Sequence, residues 1–331
     1  MLLELLIVIV LALHLMCMNV ATAGPLVCIW LDWRGGRGDQ LADRVGRFLC
    51  WNSLVVFLIG GGLGLVLAYL HWDDEYHLML HKFRSKINFG GWELIFSLVL
   101  VWGTSIIWRI APSSMSARWG RRLLLLLAGT NLLYHFPFLF TIISRVNAGA
   151  YDVAVEVDAS MFRRLMMQDS VLPQAVHFGF ASFAMVGFVL IGFALWSERS
   201  TGDIGQDAAE PADEESPEHD VEKDDLQVSD IGSEAQRIVA WGARWALGAT
   251  LCQIPVGMWL VVKLPPEAQQ RVLGADLLAT GLLGISIILS LGLLHHLAAL
   301  ALGVPRKKNM VVAMAMVIVL ITLMTGVLER M

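Results

Sequence analysis

Eight long apolar runs constrain the structure of this chain more than any other feature. Each run is bounded by charged residues, glycine or proline; the runs cover residues 3–31, 48–70, 90–110, 121–145, 171–196, 237–262, 272–302 and 309–328. About 20 apolar residues in a helix cross the roughly 30 Å of hydrocarbon in a bilayer, where the backbone finds no water to bond. The sequence therefore predicts an all-α integral membrane protein with eight transmembrane helices.

The basic residues between the spans favour one orientation in the membrane. Arginine and lysine cluster in the loops after the first, third and seventh spans, whereas the loops on the other side mix basic with acidic residues. The positive-inside rule then places the arginine-rich loops in the cytoplasm and both termini outside, as expected in a bacterial inner membrane. We interpret the N-terminal run as a retained first span, because Glu4 stands where a signal peptide has basic residues.

The segment between the fifth and sixth spans differs from the rest of the chain. Residues 198–236 hold 14 acidic and two basic residues among many serines, glycines and prolines. Such a composition buries too little apolar surface to offset the entropy of ordering, so a disordered cytoplasmic linker is predicted over 197–236. It separates the fifth span from the last three, and the docking of a basic partner on it is the alternative interpretation.

The sequence lacks the common motifs for covalent haem attachment, phosphate binding, nucleophilic catalysis and zinc binding. The four cysteines form neither a Cys-x-x-Cys pair nor the Cys-x-x-Cys-His signature that attaches haem covalently, so we expect buried thiols in a packed core. The sequence also has no phosphate-binding glycine loop, no nucleophile elbow and no zinc signature. Membrane lipid is the expected surrounding, and no nucleic-acid partner is expected.

Histidines within the predicted spans are the first candidates for function, because unpartnered polar groups are costly in lipid. At about 1.5 Å per residue, His14 and His135 both lie about 15 Å below the outer ends of their spans. His177 lies about 9 Å and Met258 about 6 Å below theirs. These two pairs match in depth, as the ligands of a haem held between two helices must. The small Ala181 beside His177 leaves room for a macrocycle, and equally for a neighbouring helix.

Other polar residues within the spans have more than one interpretation. Glu93 lies about three residues inside the third span, where a carboxylate can reach the interface, ligate haem, bind a quinol or pass protons. Asn131 and Arg145 in the fourth span raise the same question. His295 and His296 are adjacent, so they diverge by about 100° around the helix and favour anchoring at the interface over a shared site.

Five strings within residues 1–200 resemble, in order and spacing, the first five spans of subunit I of the cytochrome bd quinol oxidases. They are LHLMCMNVATAGPLVCIWLDW, RFLCWNSLVVFLIGGGLGLVLAYLHW, WELIFSLVLVWGTSIIW, LLAGTNLLYHFPFLFTI and AVHFGFASFAMVGFVLIGFALW. The resemblance implies two four-helix bundles and one or two b haems. It further implies His14 as a ligand in the first bundle, Glu93 as its carboxylate partner, and His177 as a ligand of the low-spin b haem.

On this resemblance the chain divides into a first bundle, an outer loop and a second bundle that the linker interrupts. These parts comprise residues 1–145, then 146–170, then the fifth span with 237–331.

The chain also departs from that family. Val101 stands where the family has a second acidic residue, and the outer loop between the sixth and seventh spans is only VKLPPEAQQR. Met258 lies three residues from the family's methionine ligand, and only Glu329 echoes its C-terminal signature. These departures argue against haem d and oxygen reduction. They favour a haem-b subunit that passes electrons between quinol and a partner cytochrome or oxidase, with His135 completing a bis-histidine site.

Two other classes of protein stay open at the sequence level. A transporter or channel would use His14, Glu93 and His135 as a polar path, with breaks at Pro137 or Pro255. It predicts an inverted repeat, and no repeated motif is visible between the halves. A haem-free scaffold would instead dock its partner through the acidic linker.

Overall fold

The computed structural model describes residues 2–112, 114–147, 156–168, 170–206, 232–303 and 306–328. Within these ranges the chain is helical and has no strand. The helices are α1 (Leu2–Gly35), α2 (Gln40–Leu70), α3 (Asp74–Lys82), α4 (Arg84–Ile110), α5 (Met115–Asn147), α6 (Ala159–Met166), α7 (Val171–Gln206), α8 (Ser233–Val262), α9 (Pro266–Gln270), α10 (Leu277–Ala301) and α11 (Lys307–Leu328). A π-helical turn, Arg271–Ala275, follows α9.

Eight of these helices are long and apolar enough to cross a membrane. They are α1, α2, α4, α5, α7, α8, α10 and α11; α10 lies within the seventh apolar run, and each of the others contains its run. The prediction of an all-α membrane protein with eight spans is confirmed. The other three helices are short and lie in the connections.

The helices extend beyond most of the apolar runs, because hydropathy marks only the part of a helix that lies in hydrocarbon. The second helix begins at Gln40 rather than at 48, where the Asp39 side chain accepts a hydrogen bond from Ala42 N at 3.2 Å. The helices α5 and α8 continue through Pro137 and Pro255, so these prolines do not break the spans.

The seventh span begins later than predicted, at Leu277 rather than 272. Gly274 has a φ of 146°, a conformation that favours glycine, and it ends the π-helical turn. The Asp276 side chain then accepts hydrogen bonds from Leu278 N and Ala279 N and starts α10. At the predicted linker, α7 continues to Gln206 and α8 begins at Ser233, and residues 207–231 lie outside the described residues.

The spanning helices pack in two rings of four. In the first ring α1 contacts α2, α2 contacts α4, α4 contacts α5, and α5 returns to α1. In the second ring α7, α8, α10 and α11 follow one another in the same order. The rings meet where α1 packs on α7, with further contacts of α5 on α7 and of α11 on α1.

The first two helices of each ring approach through equivalent glycines. Gly24 of α1 lies against Ser53 of α2, and Gly187 of α7 lies against Ala246 of α8, so closely that a Cβ on either glycine would collide. Because each ring has four spans, both rings start on the same side of the membrane. Although no repeated motif is visible in the sequence, the two rings thus repeat one packing pattern, and this repeat is parallel rather than inverted.

This register identifies the acidic segment as an insertion. The α1 helix ends eleven residues after Gly24, and the same spacing after Gly187 in α7 reaches Glu198. The α2 helix begins at Gln40, 13 residues before Ser53, and α8 begins at Ser233, 13 residues before the equivalent Ala246. In this register residues 36–39, which join the first pair of helices, correspond to residues 199–232 of the second pair, of which 199–206 continue α7. The Gly232 N–H donates to Glu198 Oε1 at 3.2 Å, so the two ends of the insertion lie together.

A cluster of buried charge closes the arginine-rich end of the first ring. Asp32 near the end of α1 is fully buried and faces three arginines of α5: Arg121 Nη2 and Arg122 Nε each lie 2.6 Å from its oxygens, and Arg118 Nη1 lies 3.2 Å away. Arg121 is also fully buried and donates to the backbone carbonyls that follow α4, those of Ala111 and Pro112. The cluster therefore ties three helices together at one end.

A second set of ionic contacts joins the two rings at the same end. Asp39 Oδ2 lies 3.0 Å from Arg34 Nη2 and 2.9 Å from Arg237 Nη2 of α8. Burial raises the pKa of the Asp39 carboxyl, but the Ala42 N–H, Arg34 and Arg237 outweigh it and lower the pKa below the usual 3.8. Its charge therefore persists at neutral pH and supports the contact between the rings.

We expect Asp32→Asn to destabilise the protein by about 3–5 kcal/mol, because it leaves buried guanidinium groups without a compensating charge. Glu234→Gln is the matched control: its pair with Arg44 spans 2.7 Å, but both side chains are more than half exposed. The control should change stability by about 0–1 kcal/mol. Reversible unfolding by SDS in mixed micelles measures both, and equal losses would contradict a structural role for the Asp32 cluster.

We also expect that residues 199–232 can be replaced by Gly-Arg-Gly-Asp, the sequence of residues 36–39. The four-residue turn joins the equivalent helix pair in the first ring, so the shortened chain should fold with an unchanged thermal midpoint. Size-exclusion chromatography and thermal unfolding in detergent provide the measurement. As a control, four residues of the same composition in scrambled order test whether the turn sequence matters. Aggregation of both shortened chains would show that the insertion is needed to join α7 to α8.

Candidate functional site

His14 lies between α1 and α2 with one ring nitrogen fixed. Its Nδ1 is 2.8 Å from the carbonyl oxygen of Gly60. A carbonyl can only accept, so Nδ1 carries the hydrogen and Nε2 keeps its lone pair. Metal-binding histidines are commonly held in this way, with the second nitrogen donating to a backbone carbonyl. The local fold thus presents Nε2 as a free base or ligand.

A glycine one turn further along α2 leaves space at the edge of the imidazole. A Cβ at Gly64 would lie 3.1 Å from His14 Cε1 and 3.4 Å from Nδ1. Such distances force a neighbour to shift, so a side chain here would press on the ring. A Cβ at Gly61, by contrast, would meet no heavy atom of another helix or side chain within 4 Å. The position of Gly64 is therefore coupled to the orientation of His14.

His177 occupies the corresponding place between α7 and α8. Its Nε2 lies 3.4 Å from the Gln253 side-chain nitrogen, and its buried Nδ1 has no hydrogen-bond partner among the described residues. A Cβ at Gly257 would lie 3.8 Å from Cε1 and 3.9 Å from Nδ1 of the ring. An orphaned buried nitrogen is costly, by about 1–3 kcal/mol, and calls for an explanation. The Nδ1 of His177 is thus a buried polar atom to which the described residues offer no partner.

The two histidines are equivalent in the repeat. Each stands ten residues before the glycine that meets the next helix, Gly24 or Gly187. The residues of the second helix that face these glycines and imidazoles also keep one spacing: Ser53, Gly60 and Gly64 in α2, and Ala246, Gln253 and Gly257 in α8. Two imidazoles of one design therefore lie at matching depth in the two rings.

In the structure His135 and His14 contact different residues. The His135 ring packs edge-on against Phe89 of α4, with centroids 5.5 Å apart, and against Tyr134 at 5.0 Å. His14 instead faces α2 at Gly60. The two side chains thus contact different helices of the ring, and no contact joins them as a ligand pair.

Glu93 lies in α4 beside a polar contact between helices. Asn131 Nδ2 donates to the Glu93 backbone carbonyl at 3.1 Å and to Ser97 Oγ at 2.9 Å, which links α4 to α5. The Glu93 carboxylate is half-buried and has no hydrogen-bond or ion-pair partner among the described residues. Arg145, also singled out in the sequence, donates to Gln174 Oε1 at 3.1 Å and links α5 to α7. Asn131 and Arg145 thus have structural partners, and the carboxylate of Glu93 is left available.

Met258 points away from His177. Its side chain is 68% exposed, whereas its neighbour Gly257 faces the imidazole. Successive helix residues are turned by about 100°, so the two positions cannot face one ring. The direction of the Met258 side chain is therefore not the one that a ligand pair with His177 requires.

Two polar groups of the interior escaped the sequence reading. Asn19 Oδ1 accepts a hydrogen bond of 2.8 Å from Ser182 Oγ, and this buried contact links α1 to α7. Asp32 is the other, hidden in the apolar string CIWLDW. An amide within the first predicted span and a carboxylate directly after its end are signals that could have singled out both residues. Within the described ranges, no three His, Cys, Asp or Glu side chains converge as a metal cluster would require.

Comparison with known proteins does not assign the chain to a family. No protein-family model matches it, and no curated protein is similar to it at a significant level. The interpretation of the site therefore rests on the contacts of His14 and His177.

Proposed function

We propose that the protein is a membrane haem-b subunit that passes electrons between quinol and a partner cytochrome or oxidase. The carrying observation is the pair of equivalent imidazoles, His14 and His177, each set between two helices beside a glycine. A transmembrane helix bundle with inward histidines is a usual frame for a haem between helices. The packing of eight spans in two rings supports the finer proposal of a fold like subunit I of the bd oxidases.

The residues present fit a haem iron at both histidines. His14 Nε2 is free because Nδ1 is bound to Gly60 O, and this bond also increases the basicity of the ring. At His177 Gln253 is the group that must release Nε2 for a metal, and the buried Nδ1 has no partner among the described residues. The haem itself supplies one-electron exchange between ferric and ferrous iron. No haem-attachment motif is present, which favours a non-covalent b haem.

Each residue has a defined role in this proposal. His14 and His177 bind and orient the two irons, while Gly64 and Gly257 keep space at the imidazole edges. Glu93 offers the carboxylate that the resemblance assigns to the first site. His135 is a second base on the same ring of helices, placed against Phe89. Met258 is omitted, since its side chain faces outward.

Electron transfer fits the site better than oxygen reduction. Reduction of oxygen consumes protons, and an acidic side chain could deliver them. At the position where the bd oxidases have their second acidic residue, this chain has Val101, a fully buried aliphatic residue between Ser97 and Ser105 on the inner face of α4. A quinol donor, other respiratory subunits as partners, and a bacterial inner membrane with both termini outside complete the proposal.

A transporter is the second candidate: the repeat found here is parallel rather than the inverted one predicted for that class, but parallel repeats also occur in transporters. Many transporters carry broken helices at the substrate site, whereas the helices here continue through Pro25, Pro137 and Pro255. A haem-free scaffold is the third candidate. The presence or absence of haem separates the first candidate from the other two.

We expect purified protein, expressed with an ample haem supply, to contain one or two b haems per chain in a pyridine haemochrome assay. His177→Ala should remove one haem and change the reduced-minus-oxidised spectrum, because it deletes an iron ligand. His81→Ala is the control, since His81 is exposed on α3, outside the candidate spans. Colourless, well-folded wild-type protein would reject the haem proposal and leave the transporter and the scaffold.

We expect Gly64→Val to weaken haem binding at His14 by about 10- to 100-fold, as overpacking costs about 1–3 kcal/mol. The added side chain would press on the imidazole and turn its Nε2 away. Gly61→Val is the matched control in the same helix, because it carries the same β-branched side chain into open space. Haem titration of both variants measures the difference. Equal affinities would show that Gly64 does not shape the site.

A further inference from the structure

The two rings meet through contacts that occur in reciprocal form. Asn19 of α1 and Ser182 of α7 occupy equivalent positions, 163 residues apart, and they bond to each other. Two equivalent positions touch directly only near the axis that relates the two copies. The contact therefore locates a local twofold axis between α1 and α7, running along the membrane normal since the repeat is parallel.

Aromatic contacts on either side of this axis are reciprocal. Trp30 of α1 packs edge-on against Trp241 of α8, with ring centroids 5.6 Å apart. The equivalent residues are Phe193 of α7 and Phe48 of α2, and their rings stack at 3.9 Å. Each ring of helices thus places an aromatic side chain of its first helix on the second helix of the other.

The ionic contacts at the arginine-rich end join the rings through equivalent arginines, although the acids that these arginines bind are not at equivalent positions. Arg44 of α2 pairs with Glu234 near the start of α8 at 2.7 Å. Its equivalent, Arg237 of α8, pairs with Asp39 at the start of α2 at 2.9 Å. At the level of helices, α5 packs on α7 as α11 packs on α1. Two unrelated bundles would have to reproduce each of these pairings by coincidence.

We infer that the α1/α7 contact is an isologous interface, and that the chain is a fused dimer of two four-helix units. The partner that this surface fits is a second four-helix unit of the same design, which here is the other half of the chain. Such an interface is self-complementary, so a residue on one side and its equivalent on the other can exchange places. This inference does not depend on haem.

The decisive test is an exchange across the axis in the full chain. Asn19→Ser and Ser182→Asn should each lower the thermal midpoint in detergent by about 2–4 °C, because each disturbs the buried Asn–Ser bond. The double variant restores an Asn–Ser pair with its members exchanged, and should return to within about 1 °C of wild type. Additive losses in the double variant would overturn the inferred axis.

Two further arms keep the result interpretable. The exchange Asn131→Ser with Ser97→Asn is the control, because that hydrogen-bonded pair joins non-equivalent helices, and its double variant should stay destabilised. A protease site inserted within 148–155 allows the purified full chain to be cut between the two units. The cut halves should co-elute in size-exclusion chromatography, and their separation would show that the interface does not hold the units together.

Discussion

The contact of Asp32 with three arginines fixes the end of α1 against α5, and the remainder of the protein is arranged around α1. The carboxylate and the Arg121 guanidinium are both fully buried, where a lone charge would be prohibitive and mutual compensation is required. Arg121 also bonds the carbonyls that end α4, so the same group sets the position of a third helix. With α1 anchored in this way, the depths of His14 and Asn19 along it are determined.

Glycines then decide how closely the helices approach, and this spacing creates the histidine environments. Gly24 and Gly187 allow the paired helices to touch, so that Gly60 O reaches His14 and Gln253 reaches His177. Larger residues in place of these glycines would separate the helices and leave both imidazoles without their neighbours on the second helix. The site is thus a consequence of backbone proximity, with few of its contacts made by polar side chains.

The sequence predicted the eight spans because hydrocarbon imposes a length and a composition that can be read residue by residue. It also indicated His14 and His177, since a histidine in an apolar run is conspicuous. It failed where direction around a helix matters: Met258 matches His177 in depth but faces outward, and His135 faces α4 instead of His14. The Asp32 cluster was missed because its acid lies in α1 and its arginines in α5, which read separately as ordinary charges at the ends of spans. The repeat was missed because serine and alanine, or glycine and glutamine, occupy equivalent positions, and only packing reveals the equivalence.

The two halves share a design but give their histidines different surroundings. His14 is bonded to a backbone carbonyl, which cannot rotate or be exchanged by mutation of one side chain, whereas His177 faces the movable amide of Gln253. The position equivalent to Asp32 is Leu195, so the second ring has no carboxylate at the place where the first ring holds its charge cluster. Hydrogen bonding to a ligand and nearby charge are two of the factors that set the potential of a haem iron. On the proposed function, a duplicated unit that diverged at these positions would hold two sites of unlike potential, which gives electron transfer between them a direction.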